Sequence, residues 1–106
     1  MAAGTLLAAC GILVAGTYLQ AQPKVDAATL YKTHCQLCHG ANGVSPMKNA
    51  SFADAEWVHG SSLAEVQNTI RNGVKGTVMM GFANKLSAED LEALAHYVRR
   101  LDKTLK

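Results

Sequence analysis

Aromatic side chains are scarce here: three Tyr, two Phe and one Trp among 106 residues. A chain this short accommodates one small domain plus a tail, and buries little core unaided. Charge of one sign is lacking too, because ten Lys and Arg face eight Asp and Glu for a formal +2. That balance gives nucleic-acid binding no support. There is no internal repeat and no low-complexity tract, and no segment demands a strand. Residues 1 to 23 carry no charged side chain. Cysteine occurs three times, with Cys10 inside the apolar start and only Cys35 and Cys38 closely spaced.

The last scarcity narrows the chemistry. A zinc ribbon needs a second Cys pair or paired His at ligand spacing, and neither is present. A thioredoxin-like redox pair belongs at a strand-to-helix junction, whereas Asp26 to His34 has a helical pattern. A plain structural disulfide is the third ordinary reading. What is present is more specific: Cys35-Gln36-Leu37-Cys38-His39 has the C-x-x-C-H order of covalent c-type haem attachment. Each thiol can add across one haem vinyl group to give a thioether, and the two-residue spacing lets one helical turn present both sulfurs. His39 then falls beneath the iron as an axial ligand, its second ring nitrogen needing an acceptor that fixes the tautomer. A large flat cofactor also supplies the apolar centre that the missing aromatics do not.

The stretch from Ala2 to Ala21 is about long enough for a helix to cross the bilayer hydrocarbon. Gly4, Gly11 and Gly16 interrupt it, so insertion rests on Leu6, Leu7, Ile12, Leu13, Val14 and Leu19. A retained membrane anchor over residues 1 to 23 is the expectation. A cleaved signal peptide would want a basic start, which is absent, although Leu19-Gln20-Ala21 offers a small residue before a cut. Leu7-Ala8-Ala9-Cys10 resembles a lipobox with too little apolar chain before it. Cys10 reads better as a small buried apolar residue.

Gln22-Pro23 marks the boundary with a domain over residues 24 to 106. Asp26 is a suitable N-cap for a helix through Cys38, with Leu30 and Leu37 on nearby faces, stopped by Gly40 and the Asn42-Gly43 turn. Val44 to Ser51 is expected as loop, and Phe52 to His59 as a short helical turn ending at Gly60. Ser62 with Glu65 forms a capping box before Leu63, Val66 and Ile70, and Gly73 is a natural stop. A loop from Val74 to Lys85 holds Met79, Met80, Gly81 and Phe82. Ser87 and Asp90 cap the last helix, Leu86 and Leu91 staple it, and Leu91, Leu94, Val98 and Leu101 form its apolar face. Arg99, Arg100 and Lys103 suit its negative end.

This succession resembles a bacterial class I cytochrome c across Val25 to Lys106. Asp54-Ala55-Glu56-Trp57-Val58-His59-Gly60 and Thr69-Ile70-Arg71-Asn72-Gly73 look most like the haem domains in the diheme subunit of cbb3-type oxidases. The resemblance implies an all-α class I cytochrome c fold around one covalent haem c, and the apolar run before it is expected as a transmembrane helix. It also implies a methionine sixth ligand, usually in M-P-x-F before a Leu-Ser helix start. Counting back from Leu86-Ser87 puts Met79 in that place and Met80 where proline usually lies, so the choice between them stays open. A thioether is a soft, neutral ligand that stabilises ferrous iron, which argues for a methionine on independent grounds. Met47, Met79 and Met80 as mere packing is the alternative. The resemblance further implies that Trp57 covers a haem edge and points its indole N–H at a propionate, against plain core packing.

Attachment machinery like that of bacteria works outside the cytoplasmic membrane, so the domain is expected on the periplasmic face. The expected function is one-electron transport in a respiratory or photosynthetic chain, with redox proteins as partners and no catalysis of its own. Lys48, Lys75 and Lys85 are expected near the haem edge, as a collar for an acidic partner or as ordinary solvated lysines. Tyr31 and Tyr97 are expected where the first and last helices cross, and His34, His59 and His96 at the surface. A fixed subunit of an oxidase, reductase or reaction-centre complex is one rival. A haem sensor or peroxidase-like enzyme with a labile sixth position is the other.

Overall fold

The computed structural model describes residues 25–47, 49–53 and 56–105. The segment 1–23 and Lys48 lie outside the described residues, and so do the anchor expectation and one lysine of the collar. Four helices are described: α1 (Ala27–His34), α2 (Gln36–His39), α3 (Leu63–Asn72) and α4 (Ala88–Leu101). None is long and apolar enough to cross a membrane.

Capping chemistry sets the helix starts. The Asp26 carboxylate accepts from the Thr29 N–H at 2.8 Å. Ser62 with Glu65 and Ser87 with Asp90 form reciprocal capping boxes, as their spacing predicts. The expected single helix from Asp26 through Cys38 is instead two. Cys35 stands between them at φ −122° and ψ −35°, outside helical geometry. The Thr33 hydroxyl donates to the Thr29 carbonyl at 2.9 Å, a back-bond that loosens and bends a helix just ahead of this joint. Gly40 ends α2 at φ +84°, where a Cβ would collide with the Val44 carbonyl oxygen.

The core consists of Leu30 and Tyr31 from α1, Val66 and Ile70 from α3, Phe82, and Leu91, Leu94, Ala95 and Val98 from α4. α4 packs on both α1 and α3, so its apolar stripe is the hub of the domain. Each Leu, Ile, Val or Phe side chain among them contributes roughly 1.5–3 kcal/mol on burial. Tyr31 and Tyr97 meet where α1 and α4 cross, their ring centroids 5.0 Å apart. Arg99 Nε donates to the Ser61 carbonyl at 2.6 Å and ties α4 to the entry of α3.

Two local expectations are corrected. Leu37 does not share the buried face of Leu30 but is 93% exposed, since the turn that directs Cys35 and Cys38 one way sends it the other. Around Phe52 to His59 no helix forms among the described residues; Val58 and His59 make a turn only. The single pairing of extended backbone described is an isolated antiparallel bridge between Gly73 and Met80.

Candidate functional site

His39 is oriented by the loop that follows it. Its Nδ1 lies 2.6 Å from the Ala50 carbonyl oxygen. A carbonyl only accepts, so Nδ1 carries a proton, and in the neutral ring Nε2 then holds the lone pair. That is the tautomer a metal ligand needs, and the bond supplies the acceptor that the sequence leaves unnamed.

The loop is fastened so that Ala50 can play this part. Ser45 Oγ donates to the Cys38 carbonyl and accepts from the Met47 N–H at 2.9 Å. The Ser45 N–H donates to Ser51 Oγ at 2.8 Å. Phe52 and Ala53 N–H groups both donate to the Gly43 carbonyl, at 2.6 and 3.1 Å. From the other side, the Tyr31 hydroxyl donates to the Gly40 carbonyl at 2.7 Å. Burial, then the neighbouring Cys35 and Tyr97, pushes the Tyr31 phenol up to about 12, so it remains a donor.

Cys35 and Cys38 are both free thiols, one helical turn apart. Burial, and secondarily Cys38, pushes Cys35 up to about 11. A low-value thiolate in an electropositive setting is the mark of a thiol-disulfide catalyst, and Cys35 is the reverse. Among the described residues no three His, Cys, Asp or Glu side chains converge, which leaves the zinc reading without a ligand set.

Behind His39 stands a stack of aromatic rings. Phe52 lies on the imidazole at 4.3 Å and 21°, and Trp57 lies on Phe52 at 5.6 Å and 17°. Trp57 Nε1–H donates to Asp102 Oδ2 at 2.8 Å. The indole N–H is thus held by a buried carboxylate of the protein.

The methionine loop is stitched to the end of α3. Phe82 N–H donates to the Ile70 carbonyl at 3.0 Å and Ala83 N–H to the Arg71 carbonyl at 3.1 Å, while within the loop Val74 N–H donates to the Met79 carbonyl at 3.0 Å. Gly73 and Gly81 sit where the two backbones cross, and a Cβ on either would lie 2.5–2.7 Å from backbone atoms of the other strand. The crossing separates the two methionines. Met79 packs against the core cluster, which Cys35, Phe52 and Trp57 also touch. Met80 is 55% exposed, with Lys85 Nζ 3.5 Å from its sulfur.

The donor set thus fits a covalent haem: two free thiols, an imidazole with one nitrogen tethered and the other free, and a half-buried thioether. Sequence reasoning missed Ala50, Phe52, Ser45, Ser51 and Asp102. Only Asp102 carried a signal, an acid at a helix end whose dipole favours a base. A concavity of about 410 Å³ lined by His59, Asn68, Thr69, Asn72, Gly73, Val74 and Lys75 includes none of the candidate ligands.

A family model described as cytochrome c oxidase, cbb3-type, subunit III, matches residues 23–98. The cbb3-type cytochrome c oxidase subunit FixP of Azorhizobium caulinodans is 29% identical over 85 residues, covering 74% of this chain and 29% of that protein. The chain therefore spans under a third of the length of that relative. Cytochrome c6 of Synechocystis sp. is 31% identical over 90 residues, covering 83% of this chain and 73% of the other. Among solved structures, the KustC0563 c-type cytochrome superposes with a TM-score of 0.62 at 34% identity, covering 74% of this chain and 99% of that one.

Proposed function

The chain belongs to the family of cbb3-type cytochrome c oxidase subunit III, and from that premise we propose that it is a one-electron carrier holding a single covalent haem c. Cys35 and Cys38 would form the two thioethers, and His39 and Met79 would hold the iron. The haem, when bound, supplies an Fe(III)/Fe(II) couple. The observation that carries the reading is His39: its Nδ1–H is held by Ala50 at 2.6 Å, one residue after a pair of free thiols.

Each residue has a defined task. Ala50 fixes the tautomer, which raises the basicity of Nε2 and limits ring rotation. Met79 contributes a soft sulfur that favours the ferrous state, and Met/His ligation raises the reduction potential. With His39 and Met79 both on the iron, a substrate would find no open position, and the domain would transfer electrons rather than catalyse. The partially buried setting of Met79 supports it over Met80. The uncharged run from Met1 to Pro23 supports a tether to the cytoplasmic membrane, with the haem domain on the periplasmic side. The partners are then redox proteins or a membrane electron-transport complex.

Absorption spectra of the Met79→Ala and Met80→Ala holoproteins test the ligand assignment. Loss of the ferric methionine charge-transfer band is expected in Met79→Ala alone; its loss only in Met80→Ala reverses the assignment. Colour fully extracted by acid acetone, after expression with maturation factors, refutes covalent attachment. A second reading, a fixed subunit of an oxidase, is favoured by the FixP relative. Stoichiometric companions after purification in mild detergent would support it over a free carrier.

A further inference from the structure

Asp102 is out of place by ordinary rules. It caps the C-terminus of α4, where the helix dipole disfavours an anion, and it is only 2% exposed. A carboxylate in such a position needs partners, and its two oxygens divide the work. Oδ1 accepts from the Thr104 N–H at 2.9 Å and the Thr104 hydroxyl at 2.6 Å. Oδ2 is left for Trp57, 45 residues earlier in the chain.

Trp57 in turn is the outer member of the stack that ends on His39. The interplanar angles of 17° and 21° make the three rings nearly parallel, so fixing the indole plane biases the two beneath it. His39 needs that support. It ends a four-residue helix, too short to hold a side chain firmly, and its ring is otherwise located by the single bond to Ala50. One contact lies in the ring plane and the other lies on its face. Together they leave the imidazole little freedom to rotate.

We propose that Asp102 is a positioning residue that sets the plane of the His39 imidazole through Trp57 and Phe52. The inference rests on the reading of His39 as an axial ligand. The azimuth of an axial imidazole decides which iron d orbitals its π system meets, and so governs the spread of paramagnetically shifted haem-methyl resonances in the ferric state. Hydrogen bonding and packing around an axial ligand also tune the potential.

The test uses ferric holoprotein carrying Asp102→Asn, Trp57→Phe, both together, or Thr104→Ala. An asparagine side chain has one acceptor oxygen and cannot serve Thr104 and Trp57 separately. Asp102→Asn is expected to keep the methionine charge-transfer band, change the haem-methyl pattern and shift the Fe(III)/Fe(II) equilibrium about threefold, about 28 mV at 59 mV per decade. Trp57→Phe should produce the same kind of change, and adding Asp102→Asn to it should add nothing. Thr104→Ala removes a hydroxyl but leaves the backbone N–H of that residue on Oδ1, and should retain the wild-type pattern. Wild-type methyl shifts in Asp102→Asn, whatever its melting temperature, overturn the proposal, as does additivity of the two changes. If Asp102→Asn does not mature, wild-type shifts in Trp57→Phe overturn it equally. Failure of the wild-type chain to show a low-spin covalent haem is a different result, and refutes the proposed function beneath it.

Discussion

Gly81→Ala probes the crossing that holds the methionine loop. The added Cβ would lie 2.5 Å from the Arg71 carbonyl oxygen and 2.7 Å from the Asn72 carbonyl carbon. Both are backbone atoms in the last turn of α3, so neither can swing aside. The contact falls about 1 Å short of its optimum. Overpacking of this kind costs about 1–3 kcal/mol. Two backbone hydrogen bonds join the loop to α3 here, together worth roughly 2 kcal/mol at about 1 each. The two quantities are comparable, so the loop gives way before the core around Leu94 does. The expected result is a melting temperature lower by roughly 10 °C, at about 4–8 °C per kcal/mol for a domain this size. Far-UV helix content should be unchanged at room temperature, while the ferric charge-transfer band of the methionine weakens or disappears. A variant that melts like the wild type and keeps the full band would show that the crossing does not position Met79.

Tyr31→Phe should cost about 1–3 kcal/mol in denaturant unfolding, because the Gly40 carbonyl loses its donor in a partly buried place. The phenol is raised from 10.0 to about 12 in the fold. Its protonated form is thus the one the fold favours; stability is full below pH 10, is lost as pH rises toward 12, and that alkaline limb should flatten in Tyr31→Phe. The Asp102 carboxyl is held below its ordinary 3.8 by the Thr104 hydroxyl, the Trp57 N–H and the Thr104 backbone. Its contribution is present above that value and lost as pH falls through the lowered one, so Asp102→Asn should show a shallower acid limb in a melting-temperature titration. Leu94→Ala, at a fully buried position in the hub helix, should cost about 2–5 kcal/mol by chemical denaturation.

Elements with local causes are legible in the chain itself. The capping boxes at Ser62 and Ser87 and the apolar stripes of α3 and α4 depend on neighbours three or four residues away, so their pattern is written in the order of residues. The break at Cys35 is not, because its dihedrals follow from how α1 and the haem-motif turn pack rather than from a breaker residue. The attachment motif and the preference for Met79 come from spacing and resemblance. Ala50 could not be found, since it acts through a carbonyl that any residue would supply. Asp102 and Trp57 are 45 residues apart, and nothing local joins them. The bond between them escapes notice for the same reason.

The bonds around His39 share one property: their partners are close in sequence. Tyr31 reaches Gly40 across nine residues, and His39 reaches Ala50 across eleven. Short closures are entropically cheap and quick. The contacts of this side need only the segment from α1 to the loop at Ala50, ahead of α3 and α4 in the chain. The thiols and imidazole are thus set by contacts close along the chain, and α3, α4 and the methionine loop supply the opposite wall.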